Sequence, residues 1–167
     1  MHVSSFPYRV LLMMAETKRR TVIVAMDGSK HSEYAYQWYL ERVHKEGDFV
    51  LLVHSSDFCF SHQSTLMMMN PTITERMFRD FEQKENKFVT DLETLLARTK
   101  VDGKAIHVHG PAGEGIIEVS KEHGAEFIVT GTRGLGTIRR TILGSVSDYI
   151  MHHSHVPVLV CRHSDEH

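Results

Sequence analysis

Five short, predominantly apolar runs alternate along this chain with longer segments in which apolar residues recur every three or four positions. Runs of this kind predict strands that are buried on both faces, as in a parallel sheet. The three- and four-residue spacing between them predicts amphipathic helices. The predicted strands span residues 21–26, 48–54, 105–109, 125–130 and 156–161, and the predicted helices span about 32–45, 72–98, 113–123 and 145–152.

The alternation of strands and helices predicts an α/β fold: a single-domain, doubly wound, five-stranded parallel sheet with helices on both faces. Ligands of such sheets bind beyond the carboxyl ends of the strands. Asp27 follows the first strand and a glycine-rich segment follows the fourth, so the two meet if these strands are neighbours. The strand order 3-2-1-4-5 satisfies this condition. Pro157 lies inside the fifth predicted strand and predicts an edge position, because proline cannot donate to a ladder.

The length of 167 residues suits one domain. We place it at residues 20–163, between a flexible N-terminal extension at 1–19 and a tail at 164–167. The extension contains a six-residue apolar run that is shorter than the core of a signal peptide and leads into charged residues; a transit peptide is the alternative interpretation. No run is long enough to predict a membrane span.

A formal net charge of −2 and a pI near 6.7, without a large block of one sign, favour neither nucleic acid nor a membrane surface as a partner. The two cysteines, Cys59 and Cys161, form no Cys-x-x-Cys pair and are interpreted as small buried apolar residues. This cysteine usage indicates a reducing compartment, and we expect a cytoplasmic protein.

The Met-rich segment at residues 55–71 is the least regular part of the chain. We interpret it as a loop that covers the core with its apolar side chains, with a lid over the ligand site as the alternative.

The thirteen histidines raise the question of a metal site, above all at His152-His153-Ser154-His155. Adjacent histidines at a helix end point in different directions, and no cysteine or carboxylate cluster completes a tetrahedral site at suitable spacing. We therefore expect no metal and interpret these histidines as cations at a helix C-terminus.

Residues 131–146 form a glycine-rich segment between the fourth strand and the last helix. Glycines let the backbone approach a ligand, and free N–H groups at a helix N-terminus favour an anion, so the segment predicts a phosphate-binding loop. An ordinary tight turn is the alternative. The segment contains neither Gly-Lys-Ser/Thr nor Gly-x-Gly-x-x-Gly, which argues against a P-loop NTPase and a dinucleotide enzyme.

The spacing of Gly131, Gly134, Gly144 and Ser145 resembles the G-2x-G-9x-G-(S/T) motif of the ATP-binding universal stress proteins. The resemblance extends over residues 20–162. It includes Val-Ala-Met-Asp-Gly-Ser at the end of the first strand, Leu-Leu-Val-His in the second and Pro-Val-Leu-Val in the fifth. It implies the adenine nucleotide alpha hydrolase-like fold, whose strand order is 3-2-1-4-5, and a bound ATP, AMP or ADP, with or without Mg²⁺.

The family pattern places the adenosine moiety against the aspartate after the first strand, and the adenine against a backbone position that ends the second. By position these are Asp27 and either Val53 or His54, while the glycines and the amides of Ser145 and Val146 would hold the phosphates. A plain turn or capping role is the alternative for Asp27. The implied nucleotide-binding set is Ala25, Asp27, Val53, His54, Gly131, Arg133, Gly134, Gly144, Ser145 and Val146.

Arg133, Arg139 and Arg140 could pair with phosphate oxygens, although solvated loop arginines are nearly as good an interpretation. No carboxylate, glutamine or histidine lies between Gly131 and Val146 to orient a water molecule, so we expect at most slow ATP hydrolysis.

The resemblance implies a nucleotide-binding stress-response regulator or nucleotide-dependent switch. One alternative is an adenylyl-transferring or ATP-hydrolysing enzyme of the same architecture; another is an interaction protein with a vestigial site. An adenylating enzyme would need a substrate site beyond the core sheet, for which the chain has almost no extra sequence. We also expect a homodimer paired through residues 156–161, because an apolar edge strand needs cover and the relatives that the chain resembles dimerise in this way.

Overall fold

The computed structural model describes residues 19–56, 71–132 and 143–163. Within these ranges, strands and helices alternate from the first element to the last. The strands are β1 (Thr21–Ala25), β2 (Phe49–Ser56), β3 (Gly103–His109), β4 (Phe127–Gly131) and β5 (Val158–Cys161); the helices are α1 (Lys30–Arg42), α2 (Pro71–Thr99), α3 (Ala112–Glu122) and α4 (Ser145–His153). Cys59 and most of the predicted N-terminal extension and Met-rich segment lie outside the described residues.

The strands form one parallel sheet in the order β3-β2-β1-β4-β5, so the predicted fold class and strand order are confirmed. Parallel neighbours need crossover connections, and the helices between the strands supply them. Val22, Ile23 and Val24 of the central strand β1 are completely buried. Burial on both faces explains why the strands read as continuous apolar runs.

The last strand occupies an edge of the sheet, as predicted, but the proline lies just outside it. β5 begins at Val158, one residue after Pro157. The carbonyl of Pro157 accepts a hydrogen bond from the Ile128 N–H group at 3.0 Å. The proline therefore begins the pairing with β4 as an acceptor, which requires no N–H group of its own.

The two faces of the sheet bury separate core layers, because successive strand residues point to opposite sides. Val24 and Leu52 pack with residues of α1 and α2 such as Tyr39 and Leu92. The other layer lies under α3 and α4 and consists of Ile23, Leu51, Val53, Ile116, Val119, Ala125, Ile128 and Ile150. The sheet is thus covered on both faces. Polar groups collect instead at its amino edge, where the strands begin, and at its carboxyl edge, where the strands end.

Helix α2 is longer than the sheet that it covers. Its 29 residues span roughly 43 Å, whereas the eight residues of β2 span roughly 26 Å. Helical spacing in the sequence predicts that Met77 lies on the buried side of this helix. That prediction is wrong, because Met77 is 43% exposed, and Ile73 and Phe78 nearby are similarly exposed. Burial begins further along the helix, where Glu85 is 8% and Leu92 is 3% exposed.

Among the element boundaries that differ from the predicted ones, two are explained by hydrogen bonds and strand pairing. α1 ends at Arg42, not near residue 45, because the N–H groups of Val43 and His44 both donate to the Tyr39 carbonyl at 2.9 Å. β2 continues through Ser56, past the predicted end at residue 54, because it pairs with β3 as far as the Ser56–His109 position.

A closed polar network lies at the amino edge of the sheet, where the strands begin. The Arg20 guanidinium donates to both carboxylate oxygens of Asp48 at 2.7 and 2.6 Å, and to the Val43 carbonyl at the end of α1 at 3.0 Å. Asp48 also accepts from the Tyr39 hydroxyl at 2.7 Å and from the Lys45 N–H group at 2.9 Å. We call these five residues the amino-edge network.

The charges of this network are held by hydrogen bonds inside the protein. The Asp48 side chain is only 2% exposed. Its burial alone would raise the pKa, but hydrogen bonds from Arg20, the Lys45 N–H group and Tyr39 outweigh burial and lower the pKa of Asp48 to about 2. Asp48 is therefore a buried carboxylate whose ionised form is stabilised by folding.

Candidate functional site

The carboxyl ends of β1 and β4 lie side by side at the opposite edge of the sheet. Val24 of β1 pairs with Val129 of β4 in a parallel ladder. Both strands therefore end at the same edge of the sheet, and Asp27 and the glycine-rich segment both leave it there, as the strand order predicts.

Asp27 forms the turn that begins α1. Its Oδ1 atom accepts a hydrogen bond from the Ser29 N–H group at 3.0 Å, and Ser29 in turn caps the helix by accepting from the Ser32 N–H group at 3.2 Å. Gly28 between them has a φ of +76°, a conformation that favours glycine. The turn role considered for Asp27 is thus observed. Among the described residues Oδ2 has no hydrogen-bond partner, which leaves it available to a ligand.

The two ends of the glycine-rich segment are joined by a hydrogen bond. The Gly144 N–H group donates to the Thr132 carbonyl at 2.6 Å, and the Thr132 N–H group donates to the Cys161 carbonyl of β5 at 3.0 Å. Arg133 and Gly134, with the rest of residues 133–142, lie outside the described residues. The loop therefore leaves the sheet and returns to it at one point, beside the N-terminus of α4.

The N-terminus of α4 has backbone N–H groups available for an anion. Gly144 is the N-cap residue and supplies no side-chain cap, and the N–H groups that follow it have no acceptor within the helix. Together with the positive end of the helix dipole, these groups favour a phosphate. Asp148 in the first turn opposes this effect, but its carboxylate is exposed and lies 3.7 Å from the His152 imidazole.

The two described glycines of the motif differ in their structural roles. A Cβ atom on Gly131 would lie 2.7 Å from the His31 carbonyl oxygen, so the close packing of α1 on β4 requires glycine there whether or not a ligand binds. Gly144 has φ −65° and ψ 148°, values open to any residue. The conformation of Gly144 thus gives no reason of its own for a glycine.

The other residues predicted to contact the nucleotide lie at the ends of β1 and β2, and their side chains point in different directions. Ala25 ends β1 and is half-buried. Val53 is 1% exposed, its side chain packs under α3 and α4, and its carbonyl accepts from the Met26 N–H group at 2.8 Å. The His54 ring contacts Phe88 of α2, so it lies on the other face of the sheet. The side chains of Val53 and His54 therefore lie on opposite faces of the sheet, so a ligand at the carboxyl edge could contact both residues only through their backbone atoms.

Sequence reasoning missed a group of polar side chains under α2, which we call the His–Glu–His cluster: His54 of β2, Glu85 of α2 and His107 of β3. His54 Nε2 lies 2.7 Å from Glu85 Oε2, and His107 Nε2 lies 3.6 Å from the same oxygen. Burial and the neighbouring His109 and His54 lower the pKa of His107. The strand order offered a signal for the two histidines, since strands two and three are neighbours; nothing distinguished Glu85 among the charges of its helix.

The histidines at the end of α4 behave as helix-terminal residues. Both His152 and His153 are exposed, and the Nδ1 atom of each lies 2.8–2.9 Å from the carbonyl four residues earlier. A ring N–H group placed there satisfies one of the last carbonyls of the helix. This geometry agrees with the helix-end interpretation of the histidine run.

The fold and its carboxyl edge together define a class. A doubly wound α/β sheet of order 3-2-1-4-5, with a loop that joins β4 to the N-terminus of α4, belongs to the class of α/β architectures whose crevice lies at the switch point between β1 and β4. A family model described as "Universal stress protein family" matches residues 18–162. The chain belongs to the universal stress protein family.

Relatives from distant organisms match most of the chain. Stress response protein NhaX of Bacillus subtilis is 24% identical over 161 residues, covering 84% of this chain and 96% of that protein. Universal stress protein PHOS32 of Arabidopsis thaliana is 29% identical over 163 residues, covering 89% of this chain and 66% of that protein. The alignments with these relatives extend over nearly the whole length of the domain.

Solved structures share the same fold at low sequence identity. Hypothetical protein MJ0577 aligns with a TM-score of 0.72 and 20% identity, covering 89% of this chain and 99% of that one. An Arabidopsis thaliana family member with AMP bound aligns with a TM-score of 0.62 and 21% identity, covering 87% of this chain and 93% of that one. A universal stress protein in complex with cAMP aligns with a TM-score of 0.62 and 20% identity, covering 87% of this chain and 98% of that one.

Among the described residues, no helix combines the length and apolar character needed to cross a bilayer.

Proposed function

We propose that the chain binds an adenine nucleotide, ATP, AMP or ADP, at the carboxyl edge between β1 and β4, and acts as a stress-response regulator or nucleotide-dependent switch. The observation that carries the proposal is the Gly144–Thr132 hydrogen bond, which closes the glycine-rich segment at a helix N-terminus without a side-chain cap. Asp27 follows β1 at the same edge of the sheet, since β1 and β4 are parallel neighbours. Structural neighbours with AMP or cAMP bound add support to an adenine nucleotide.

In the proposed site the phosphates lie at the N-terminus of α4, and the adenosine lies towards Asp27 and the ends of β1 and β2. The amides of Ser145 and Val146 donate to the phosphates, which the helix dipole also attracts. Asp27 accepts from the adenosine moiety, and the backbone at Ala25 and at Val53 or His54 borders the base. Gly131, Gly134 and Gly144 line the loop, and Arg133 pairs with phosphate. Mg²⁺ can accompany the nucleotide, with the Ser145 hydroxyl as a candidate ligand.

A binding protein, not a fast enzyme, is the proposal that the loop composition favours. Between Gly131 and Val146 the sequence offers no group to orient an attacking water molecule. We expect any ATP hydrolysis to be well below the ~1–10³ s⁻¹ of typical enzymes. Single-turnover hydrolysis with Mg²⁺ tests this point, since a rate near ~1 s⁻¹ would favour the enzyme alternative.

We further propose that two copies pair through β5 and that the protein is cytoplasmic. β5 is an edge strand, and an apolar edge with free N–H and C=O groups needs cover. Symmetric pairing of two copies about a two-fold axis would supply it. Light scattering at micromolar concentration should give twice the monomer mass, and a monomer would refute the dimer.

Calorimetric titration of ATP, AMP and cAMP into the purified chain tests nucleotide binding. Gly144→Val adds bulk where the backbone must approach the phosphates, and should abolish binding while the chain stays folded, because Gly144 has an unstrained conformation. Asp27→Asn keeps an acceptor for the Ser29 N–H group, removes the charge, and should weaken binding about tenfold or more.

Asp91→Asn is the matched control, because Asp91 is an exposed carboxylate of α2. It should bind nucleotide like the wild type. If no adenine nucleotide binds the wild type, or if Gly144→Val and Asp91→Asn bind equally well, the proposed site is wrong and the interaction protein with a vestigial site becomes the better alternative.

A further inference from the structure

We propose that the His–Glu–His cluster is a binding site for one divalent transition-metal ion of the zinc class. One ligand atom from each of His54, Glu85 and His107 lies within 4.8 Å of the other two. The three residues come from β2, α2 and β3, so the cluster exists only in the folded chain. It is separate from the proposed phosphate loop and does not rest on nucleotide binding.

Two paired strands hold the histidines in position. His54 and His107 are direct partners in the β2–β3 ladder. Their rings are stacked, with an interplanar angle of 16° and centroids 5.6 Å apart. Because neighbouring strands of a parallel sheet cannot slide without losing their register, both Nε2 atoms are held near the same carboxylate.

The cluster is shielded but not sealed from water. The side chains of His54, Glu85 and His107 are 12%, 10% and 16% exposed. The Phe88 ring, one turn after Glu85, lies 4.4 Å from the His54 ring and covers that side. Partial exposure gives an ion a way in, and the low polarity around it strengthens the attraction between the cation and the carboxylate.

The hydrogen bond of His54 Nδ1 leaves its Nε2 atom facing the Glu85 carboxylate, where a cation would be stabilised. Its Nδ1 atom lies 2.9 Å from the Met26 carbonyl, which can only accept, so Nδ1 carries a proton. In a neutral ring Nε2 then presents a lone pair, and the lone pairs of Glu85 face it at 2.7 Å. Two acceptors at this distance repel each other unless a proton or a metal ion lies between them.

The donor set and its surroundings suit zinc. Two imidazole nitrogens and one carboxylate oxygen form a ligand set used for this metal, with a fourth position left for water. A backbone carbonyl that holds the second nitrogen of a ligating histidine, as Met26 holds His54, is the usual outer partner of such sites.

Two of the three separations between ligand atoms are near those of a zinc site, and the third, between the two histidine nitrogens, lies within 4.8 Å. Ligand atoms of a tetrahedral zinc site, each ~2.0–2.1 Å from the metal, lie roughly 3.3 Å from one another. The His107–Glu85 separation of 3.6 Å is already close to this value, and the His54–Glu85 separation of 2.7 Å must open slightly. Ser56, whose hydroxyl lies 2.6 Å from His107 Nε2, would release that nitrogen.

The experiment is a titration of Zn²⁺, and of Co²⁺ as a spectroscopic probe, into the full chain after treatment with a chelator. We expect one ion per chain at the cluster and, with Co²⁺, the visible absorption of a four-coordinate site. Glu85→Gln and His107→Gln should each weaken this binding at least about tenfold and remove the absorption. In Glu85→Gln the side-chain amide can donate an N–H group to the lone pair of His54 Nε2, so the fold should be retained, which circular dichroism checks.

The control is the double variant His152→Gln/His153→Gln, which removes two exposed histidines and should keep both the bound ion and its absorption. If the control loses the ion while Glu85→Gln and His107→Gln keep it, the surface histidines are the site. If the wild type binds no stoichiometric ion, the cluster holds a proton in an imidazolium–carboxylate pair. Either result overturns the proposal.

Discussion

The two edges of the sheet carry polar groups of opposite character. At the amino edge, Arg20, Asp48 and Tyr39 satisfy one another, and Arg20 also binds the last carbonyl of α1. At the carboxyl edge, the N-terminus of α4 and one oxygen of Asp27 have no acceptor or donor among the described residues. The polar groups of the amino edge satisfy one another, whereas the carboxyl edge has backbone N–H groups and a carboxylate oxygen without a partner among the described residues.

The direction of the helices explains this difference. In a parallel sheet every crossover helix begins near the carboxyl edge and ends near the amino edge. The carboxyl edge therefore collects free N–H groups and the positive ends of dipoles, whereas the amino edge collects carbonyls that a cation such as Arg20 can satisfy. Substitutions at the two edges should consequently affect different properties: stability at one, ligand binding at the other.

The largest expected effect is at the amino edge. Asp48→Ala removes the carboxylate that pairs with the partly buried Arg20 and with Tyr39, and leaving a buried charge unpaired costs about 3–5 kcal/mol. Urea denaturation should report a loss of this size. Asp102→Ala is the control, because the Arg19–Asp102 pair is exposed and should contribute less than about 1 kcal/mol. Equal losses in the two variants would contradict a closed network.

The glycine pair at the carboxyl edge should separate stability from binding. Gly131→Ala places a Cβ atom against the His31 carbonyl oxygen and should cost about 1–3 kcal/mol through overpacking. Gly144→Ala fits the local backbone and should change the free energy of unfolding by less than about 0.5 kcal/mol. Denaturation of both variants tests the contrast; a large destabilisation in Gly144→Ala would give that glycine a structural role as well.

Lowering the pH should reduce the contribution of the amino-edge network to the free energy of unfolding. The pKa of Asp48 is lowered from 3.8 to about 2 in the folded chain. A carboxyl whose pKa is depressed by folding stabilises the protein fully above its unfolded pKa, and this contribution, about 2 kcal/mol, is lost as the pH falls from about 4 towards about 2. The free energy of unfolding of the wild type should therefore fall more steeply over this range than that of Asp48→Asn, and parallel curves would argue against the prediction.

The smallest expected effect is the loss of a cap at the carboxyl edge. Ser29→Ala removes the acceptor for the Ser32 N–H group at the start of α1 and should cost about 1 kcal/mol. Ser145→Ala, at an exposed position that is not a cap, should be nearly neutral for folding. A cost for Ser29→Ala as large as that of Asp48→Ala would remove the distinction between the edges.

The sequence predicted most of the fold because the relevant signals are local. An apolar run identifies a buried strand from its own residues, and the alternation of such runs with amphipathic segments restricts the topology to a parallel sheet. The glycine-rich segment is also contiguous, so its place between a strand and a helix N-terminus could be predicted. The end of β2 and the exposure of Met77, by contrast, depended on the pairing and length of other elements.

Sequence alone thus determined the fold class and the position of the candidate phosphate loop, since each depends on residues close together in the chain, whereas the strand order was predicted through the resemblance to a family. Only the tertiary structure decided that Gly131 is needed for the packing of α1 and that Glu85 meets two histidines. His54 and Glu85 are 31 positions apart, and no periodicity links them. Their contact arises because β2, β3 and α2 pack together, and packing over such separations leaves no pattern in the order of the residues.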